Sequence, residues 1–185
     1  MIKVGVIIGS TRPGRNGEAV ARWVHDLAVK RGDADYALVD LETYALPHLD
    51  EPQPAGTGHY EHPHTKRWSQ AIAALDAFVF VTPEYNRSTS GVLKTAIDFL
   101  YAEWADKAAG FVGYGLNGGT RAIEHLRQIL ATPGVAGVGP QVALSLRDDF
   151  EDFSRFRPGA HQEDAVGRML DKLVPWARAL RTVRS

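Results

Sequence analysis

Between residues 2 and 8 the chain reads IKVGVII, β-branched and almost uninterrupted by polar positions, the pattern of a parallel strand buried on both faces. It leads into residues 17–30, where Val20, Val24 and Leu27, with Trp23 and Ala28, recur at helical spacing while Glu18, Arg22, His25 and Asp26 face away. The alternation continues. Strands are predicted over 36–41, 77–81 (AFVFV), 108–114 and 141–146, and helices over 64–75, 91–104, 120–130 and 163–182, with a Pro/Gly-rich loop at 47–58. No repeat, low-complexity tract or linker interrupts these five strands and five helices. The pattern therefore predicts one domain over residues 1–185, a three-layer α/β sandwich around a parallel sheet.

Such sheets bind ligands outside the carboxyl ends of their strands, near the point where strand order reverses. Three unusual loops leave predicted strand ends: GSTRPGRNG, TPEYNRSTSG and YGLNGGT. In the first, N–H groups at a helix start carry partial positive charge, so Ser10, Thr11, Asn16 and Gly17 can close around an anion with Arg12 or Arg15 as counter-charge. The competing reading is a plain helix start with Asn16 as the capping residue and two solvated arginines. The strand is followed by neither G-x-G-x-x-G nor a lysine with Ser/Thr, which points to a monophosphate rather than a pyrophosphate. In the second loop, Glu84, Tyr85 and Asn86 follow Pro83, a combination suited to meeting the polar edge of a flat heterocycle with backbone groups and a ring beside it. In the third, Gly115, Gly118 and Gly119 either admit a ligand close to the backbone or build a tight strand-to-helix turn.

Composition narrows the chemistry. Of 185 residues, 44% are hydrophobic and 23% charged, with a formal net charge of -1, so nothing marks a polyanion such as nucleic acid as partner. The absence of cysteine excludes disulfides, thiolate nucleophiles and cysteine-held metal clusters. The apolar start is too short for a membrane span, and a cytoplasmic protein is expected. His59, His62 and His64 share no helical or strand face, so they are not expected to form a metal site. Ser10 lies outside G-x-S-x-G, and Ser88 and Ser90 have no evident base. Residues 148–159 (DDFEDFSRFRPG) read as a solvated loop with its rings tucked under.

The segments GSTRPGR, HPHTKRW, FVFVTPEYN…GVLKTAIDFL and GGTRAIEHLRQIL together resemble the NAD(P)H-dependent FMN reductase family of flavodoxin-like proteins, which includes quinone, azo-dye and chromate reductases. The resemblance covers roughly residues 3–146. It implies a flavodoxin-like fold with strand order 2-1-3-4-5, FMN as cofactor and NADPH or NADH as electron donor. It further implies that Ser10, Arg12, Asn16, Gly17 and Glu18 hold the FMN phosphate, that Pro83, Glu84, Tyr85 and Asn86 meet the isoalloxazine ring, and that Gly115, Gly118 and Gly119 flank its other side. Arg87–Ser90 depart from the family pattern. Hydride would pass from NAD(P)H through FMN to a small acceptor, with no side-chain acid or base required. A flavodoxin-type electron carrier is the alternative, though such carriers usually show an acidic docking face. On the predicted helix 91–104, Ile97, Leu100, Tyr101 and Trp104 form one stripe and Phe99 lies off it. One set would face water unless a second subunit covered it, which, with the resemblance, predicts a homodimer or a dimer of dimers.

Overall fold

The computed structural model describes residues 1–184. The predicted strand 2–8 is β1 (Lys3–Ile8), followed by α1 (Gly17–Val29), β2 (Asp35–Asp40) and a single turn of helix, α2 (Leu41–Tyr44). Next come α3 (Pro63–Ala73), β3 (Ala77–Pro83), α4 (Gly91–Asp98), β4 (Ala108–Gly115) and α5 (Thr120–Ala131). The chain finishes with β5 (Ala136–Gly137), β6 (Val142–Ser145), the short strands β7 (Phe150–Glu151) and β8 (Arg155–Phe156), and α6 (His161–Arg181). The main sheet is parallel with order β2-β1-β3-β4-β5, and β6 also pairs β4. The predicted strand 141–146 is thus the second half of a broken edge: Ala136 and Gly137 pair Ala108 and Ala109, and pairing resumes only at Val142 opposite Val112. Between them stands Pro140, which has no N–H for the ladder.

Side chains alternate across the sheet. Val4, Val6, Ile8, Val79, Val81 and Val112 face α1 and α6, while Ile7, Phe78, Phe80 and Phe111 face α3, α4 and α5. The second layer is the aromatic one, where Trp68 and Trp104 are fully buried. This corrects the stripe expected on helix 91–104. The helix ends at Asp98 because the chain turns inward, and the Trp104 indole donates to the Ile97 carbonyl at 3.1 Å. Phe99 and Trp104 are both 0% exposed within one subunit. Of the aromatics expected there, Tyr101 alone is exposed.

Lys107, 4% exposed, precedes β4 at the end of the sheet away from the loops. Its Nζ donates to the Ile72 carbonyl at 2.8 Å and the Ala73 carbonyl at 3.3 Å. Burial, reinforced by Arg184, lowers its pKa to about 8. The unfolded chain then binds the proton more tightly than the folded one between pH 8 and about 10.4, so this group makes stability rise with pH across that window. Urea unfolding at pH 7.5 and 9.5 should show a gain of about 1–2 kcal/mol that Lys107→Met abolishes. No helix among the described residues is long and apolar enough to cross a membrane.

Candidate functional site

Strand order reverses between β1 and β3, and the loops leaving their carboxyl ends meet there. Two cavities open at this place, of about 540 Å³ and about 210 Å³. Arg12 and Tyr85 line both. Ser10, buried at 1% exposure, lines the larger one; its hydroxyl lies 3.3 Å from the Tyr85 hydroxyl and accepts from Arg12 N at 3.4 Å. The smaller cavity gathers Arg15, Asn16, Pro83, Glu84 and Gly115 with Tyr114, Leu146 and Phe153.

The β1–α1 loop is held by Arg15 rather than by its serines. Arg15, 7% exposed at its side chain, donates both terminal nitrogens to Asp40 at 2.9 and 2.6 Å, one of them also to the Ser10 carbonyl at 2.5 Å, and meets Glu42 at 2.8 Å. Burial opposes its charge, but the hydrogen bond and charge of Asp40 and the charge of Glu42 outweigh it and raise its pKa. It is therefore not one of two solvated arginines. Arg12 is exposed, and its guanidinium makes no hydrogen bond or ion pair among the described residues. Asn16 occupies the N-cap position of α1, but its backbone is helical and its side chain caps nothing; the amide instead donates to the Phe153 carbonyl at 3.3 Å. This corrects the capping reading. Glu18 turns away to Arg22, at 2.9 Å, so only its N–H stays at the helix start. Gly17 is required by close approach: a Cβ there would stand 2.7 Å from the Tyr114 hydroxyl.

The β3–α4 loop is fastened internally. The Thr82 and Thr89 hydroxyls are 2.7 Å apart, and Ser90 both caps α4, accepting from Leu93 N at 3.2 Å, and donates to the Gly9 carbonyl. Tyr85 and Ser88 exchange backbone hydrogen bonds across a two-residue turn in which Asn86 (φ +49°) and Arg87 (φ +71°) are both left-handed. Both are exposed at the turn's tip, and neither lines a cavity. Ser88 meets His125 Nδ1 at 3.0 Å, with no carboxylate among the described residues completing a triad.

Glu84, 5% exposed at its side chain, joins two loops: it pairs with the Arg121 guanidinium and accepts from Arg121 N, in the first turn of α5, at 3.2 Å. Gly115 makes room for it, since a Cβ there would lie 3.3 Å from Glu84 Cβ. Gly118 and Gly119 line neither cavity. Both stand at φ +68°, and a Cβ on Gly119 would lie 2.5 Å from Tyr114 N, so the turn itself accounts for them.

Of the residues expected from the sequence, the structure thus brings Ser10, Arg12, Asn16, Pro83, Glu84, Tyr85 and Gly115 to the cavities. Glu18, Asn86, Gly118 and Gly119 are not brought there, and Gly17 acts through Tyr114. Tyr114, Leu146 and Phe153 were not expected; Tyr114 ends a strand, the one sequence signal that marked it. Burial raises the pKa of its phenol well above the ordinary value, keeping it neutral. Of the three histidines, His62 and His64 stack at 5.2 Å, and His64 contacts Asp50 at 3.0 Å.

The family model for NADPH-dependent FMN reductase matches residues 2–149. The chain belongs to that family. Among curated relatives, the NAD(P)H-dependent FMN reductase ntnL of Nectria sp is 36% identical over 172 residues, covering 89% of this chain and 86% of its own. The NAD(P)H-dependent FMN reductase C4B3.06c of Schizosaccharomyces pombe is 40% identical over 129 residues, 69% of this chain and 64% of that one. Among solved structures, the NAD(P)H:(acceptor) oxidoreductase FerB of Paracoccus denitrificans superposes with a TM-score of 0.75 at 24% identity, over 97% of this chain and 98% of that one. The fold is flavodoxin-like, and the protein is an oxidoreductase of the FMN reductase type, with FMN and NAD(P)H as its cofactors. The residues fit FMN: the start of α1 has no side-chain cap, a guanidinium without a protein partner among the described residues stands beside it, and the two loops beyond are tied to each other by Glu84.

Proposed function

We propose that this protein passes hydride from NAD(P)H through FMN to free flavin or a quinone, and by the same route to azo compounds and metal oxyanions. The observation that carries the reading is the convergence of three strand-end loops on two adjoining cavities that share Arg12 and Tyr85, with the Arg12 guanidinium unpaired among the described residues. FMN, when bound, supplies the redox chemistry. The protein's part is placement. Ser10, Arg12, the amide of Asn16 and the first N–H groups of α1 would hold the phosphate, while the backbone of Pro83–Asn86 and Gly115 would border the ring. The Glu84–Arg121 pair fixes the spacing of those two walls. Tyr114, buried, lines the smaller cavity beside Pro83 and Gly115, and its burial keeps the phenol neutral. A cytoplasmic setting and assembly as a homodimer or dimer of dimers belong to this reading through the family resemblance, not through Trp104, which is core.

Fluorescence titration of the apoprotein with FMN and riboflavin tests the site. FMN should bind much more tightly, and Arg12→Ala should weaken FMN about tenfold while leaving riboflavin unchanged, the size of one charge-assisted contact. Equal affinity for riboflavin and FMN would remove the phosphate assignment. Anaerobic mixing of the FMN-loaded protein with NADPH or NADH should bleach the flavin; no bleaching with either would favour the electron-carrier reading.

A further inference from the structure

The hairpin formed by β7 and β8 lies beyond residue 149, where the family match ends. Its base is built from buried polar groups. The Asp149 carboxylate, on a residue 2% exposed, accepts from Ser145 N at 2.9 Å, Gly159 N at 3.1 Å and Gln162 Nε2 at 3.2 Å. Its own core consists of Phe150 and Phe156, with ring centroids 5.1 Å apart, and Phe156 sits edge-on to Trp23 of α1 at 5.4 Å. Phe153 has no part in this packing.

Phe153 stands at the tip, in a two-residue turn closed by Ser154 N donating to the Glu151 carbonyl at 3.0 Å. Asp152 and Phe153 are both left-handed, at φ +49° and +55°. That turn favours Asn-Gly, and a phenylalanine crowds its own carbonyl there. The strain is not offset by burial, because Phe153 is 57% exposed. Yet its side of the hairpin, with Ser154, lines the same cavity as Pro83, Tyr85, Tyr114 and Gly115, and Asn16 of the phosphate loop donates to its carbonyl. A strained, exposed aromatic on a rigid support, aimed at a cavity, is kept for what enters the cavity.

We propose that the β7–β8 hairpin is an aromatic cover on the flavin site and that Phe153 packs against the bound FMN, an inference that rests on the FMN reading above. The offset packing of a phenyl ring on a flat heteroaromatic excludes water from that side of it. Asn16 links the cover to the phosphate loop: one amide N–H holds the hairpin tip, and the other stays available to the phosphate.

The test uses the full chain with Phe153→Gly and Phe153→Tyr, read by FMN titration, emission of bound FMN and thermal midpoint. Glycine suits the left-handed backbone, so the Gly variant should melt at or above the wild-type temperature. It should bind FMN roughly fivefold more weakly, the size of one aromatic contact, with bound-flavin emission at least about doubled. Tyr should restore both. FMN affinity and emission within twofold of wild type in the Gly variant would overturn the proposal, as would a loss of binding matched by a fall in thermal midpoint. A wild-type chain that fails to bind FMN defeats the underlying reading instead, and is told apart because no variant is needed to see it.

Discussion

Arg15→Met is expected to weaken FMN roughly a hundredfold and to destabilise the fold by about 2–3 kcal/mol, a larger effect than removal of Arg12, which stands nearer the anion. Arg12 offers a contact; Arg15 builds the loop that offers it. The Arg15 guanidinium fastens the Ser10 carbonyl to the end of β2 through Asp40 and Glu42. Methionine leaves the Asp40 carboxylate, 23% exposed at its side chain, without its cation, and its partial exposure keeps the penalty below that of a fully buried charge. Asp40 must stay an acceptor for Glu42 N at 3.0 Å, which couples the loss to the turn of α2. The double variant Arg15→Met/Asp40→Asn separates the two effects. Urea unfolding should recover most of the stability, since the stranded charge is gone, whereas FMN titration should stay weak because nothing holds Ser10. Recovery of FMN binding together with stability would show that Arg15 acts only through stability.

The contrast between Arg12 and Arg15 shows where the sequence was legible and where it was not. The buried strands wrote themselves as apolar runs, and the three loops were placed by following directly on their carboxyl ends, where parallel sheets bind ligands. Which arginine was free depended on Asp40, 25 residues away, and no local pattern encodes that pairing. Helix 91–104 misled for a related reason. Its apolar spacing was real, but Trp104 meets Ile97 through a turn rather than along a helix, so Ile97, Leu100 and Trp104 of the stripe are core and Tyr101 alone is exposed. Residues 148–159 were read correctly as rings tucked under for Phe150 and Phe156, and wrongly as mere loop, because short strands in a two-residue left-handed turn without glycine leave no turn signal. Gly118 and Gly119 were equally open between ligand and turn in the sequence, because the groups that bound them, Ala143 for Gly118 and the Tyr114 amide for Gly119, lie outside the turn.

Glu84→Ala should separate the two walls of the ring site, lowering stability by about 2 kcal/mol and FMN affinity by roughly thirtyfold. Two links fail at once. The Arg121 guanidinium loses its anion, Arg121 N at the first turn of α5 loses its acceptor, and the β3–α4 loop keeps only the Glu84 N to Tyr114 carbonyl bond, at 3.1 Å, as its tie to β4. The Arg121 side chain is 36% exposed and can turn to water, so the stability loss is smaller than for a fully buried pair. Glu84→Gln distinguishes shape from charge, since it keeps an acceptor for the α5 start but removes the ion pair. Its FMN affinity should lie between wild type and Ala, and its bound-flavin absorption should keep the wild-type shape if spacing of the walls is what Glu84 provides. Arg121→Gln, which removes the same pair from the other side while leaving the capping carboxylate in place, should match the Gln variant within about twofold. An Arg121→Gln protein as weak as Glu84→Ala would mean that the arginine itself, rather than the clamp, meets the ligand.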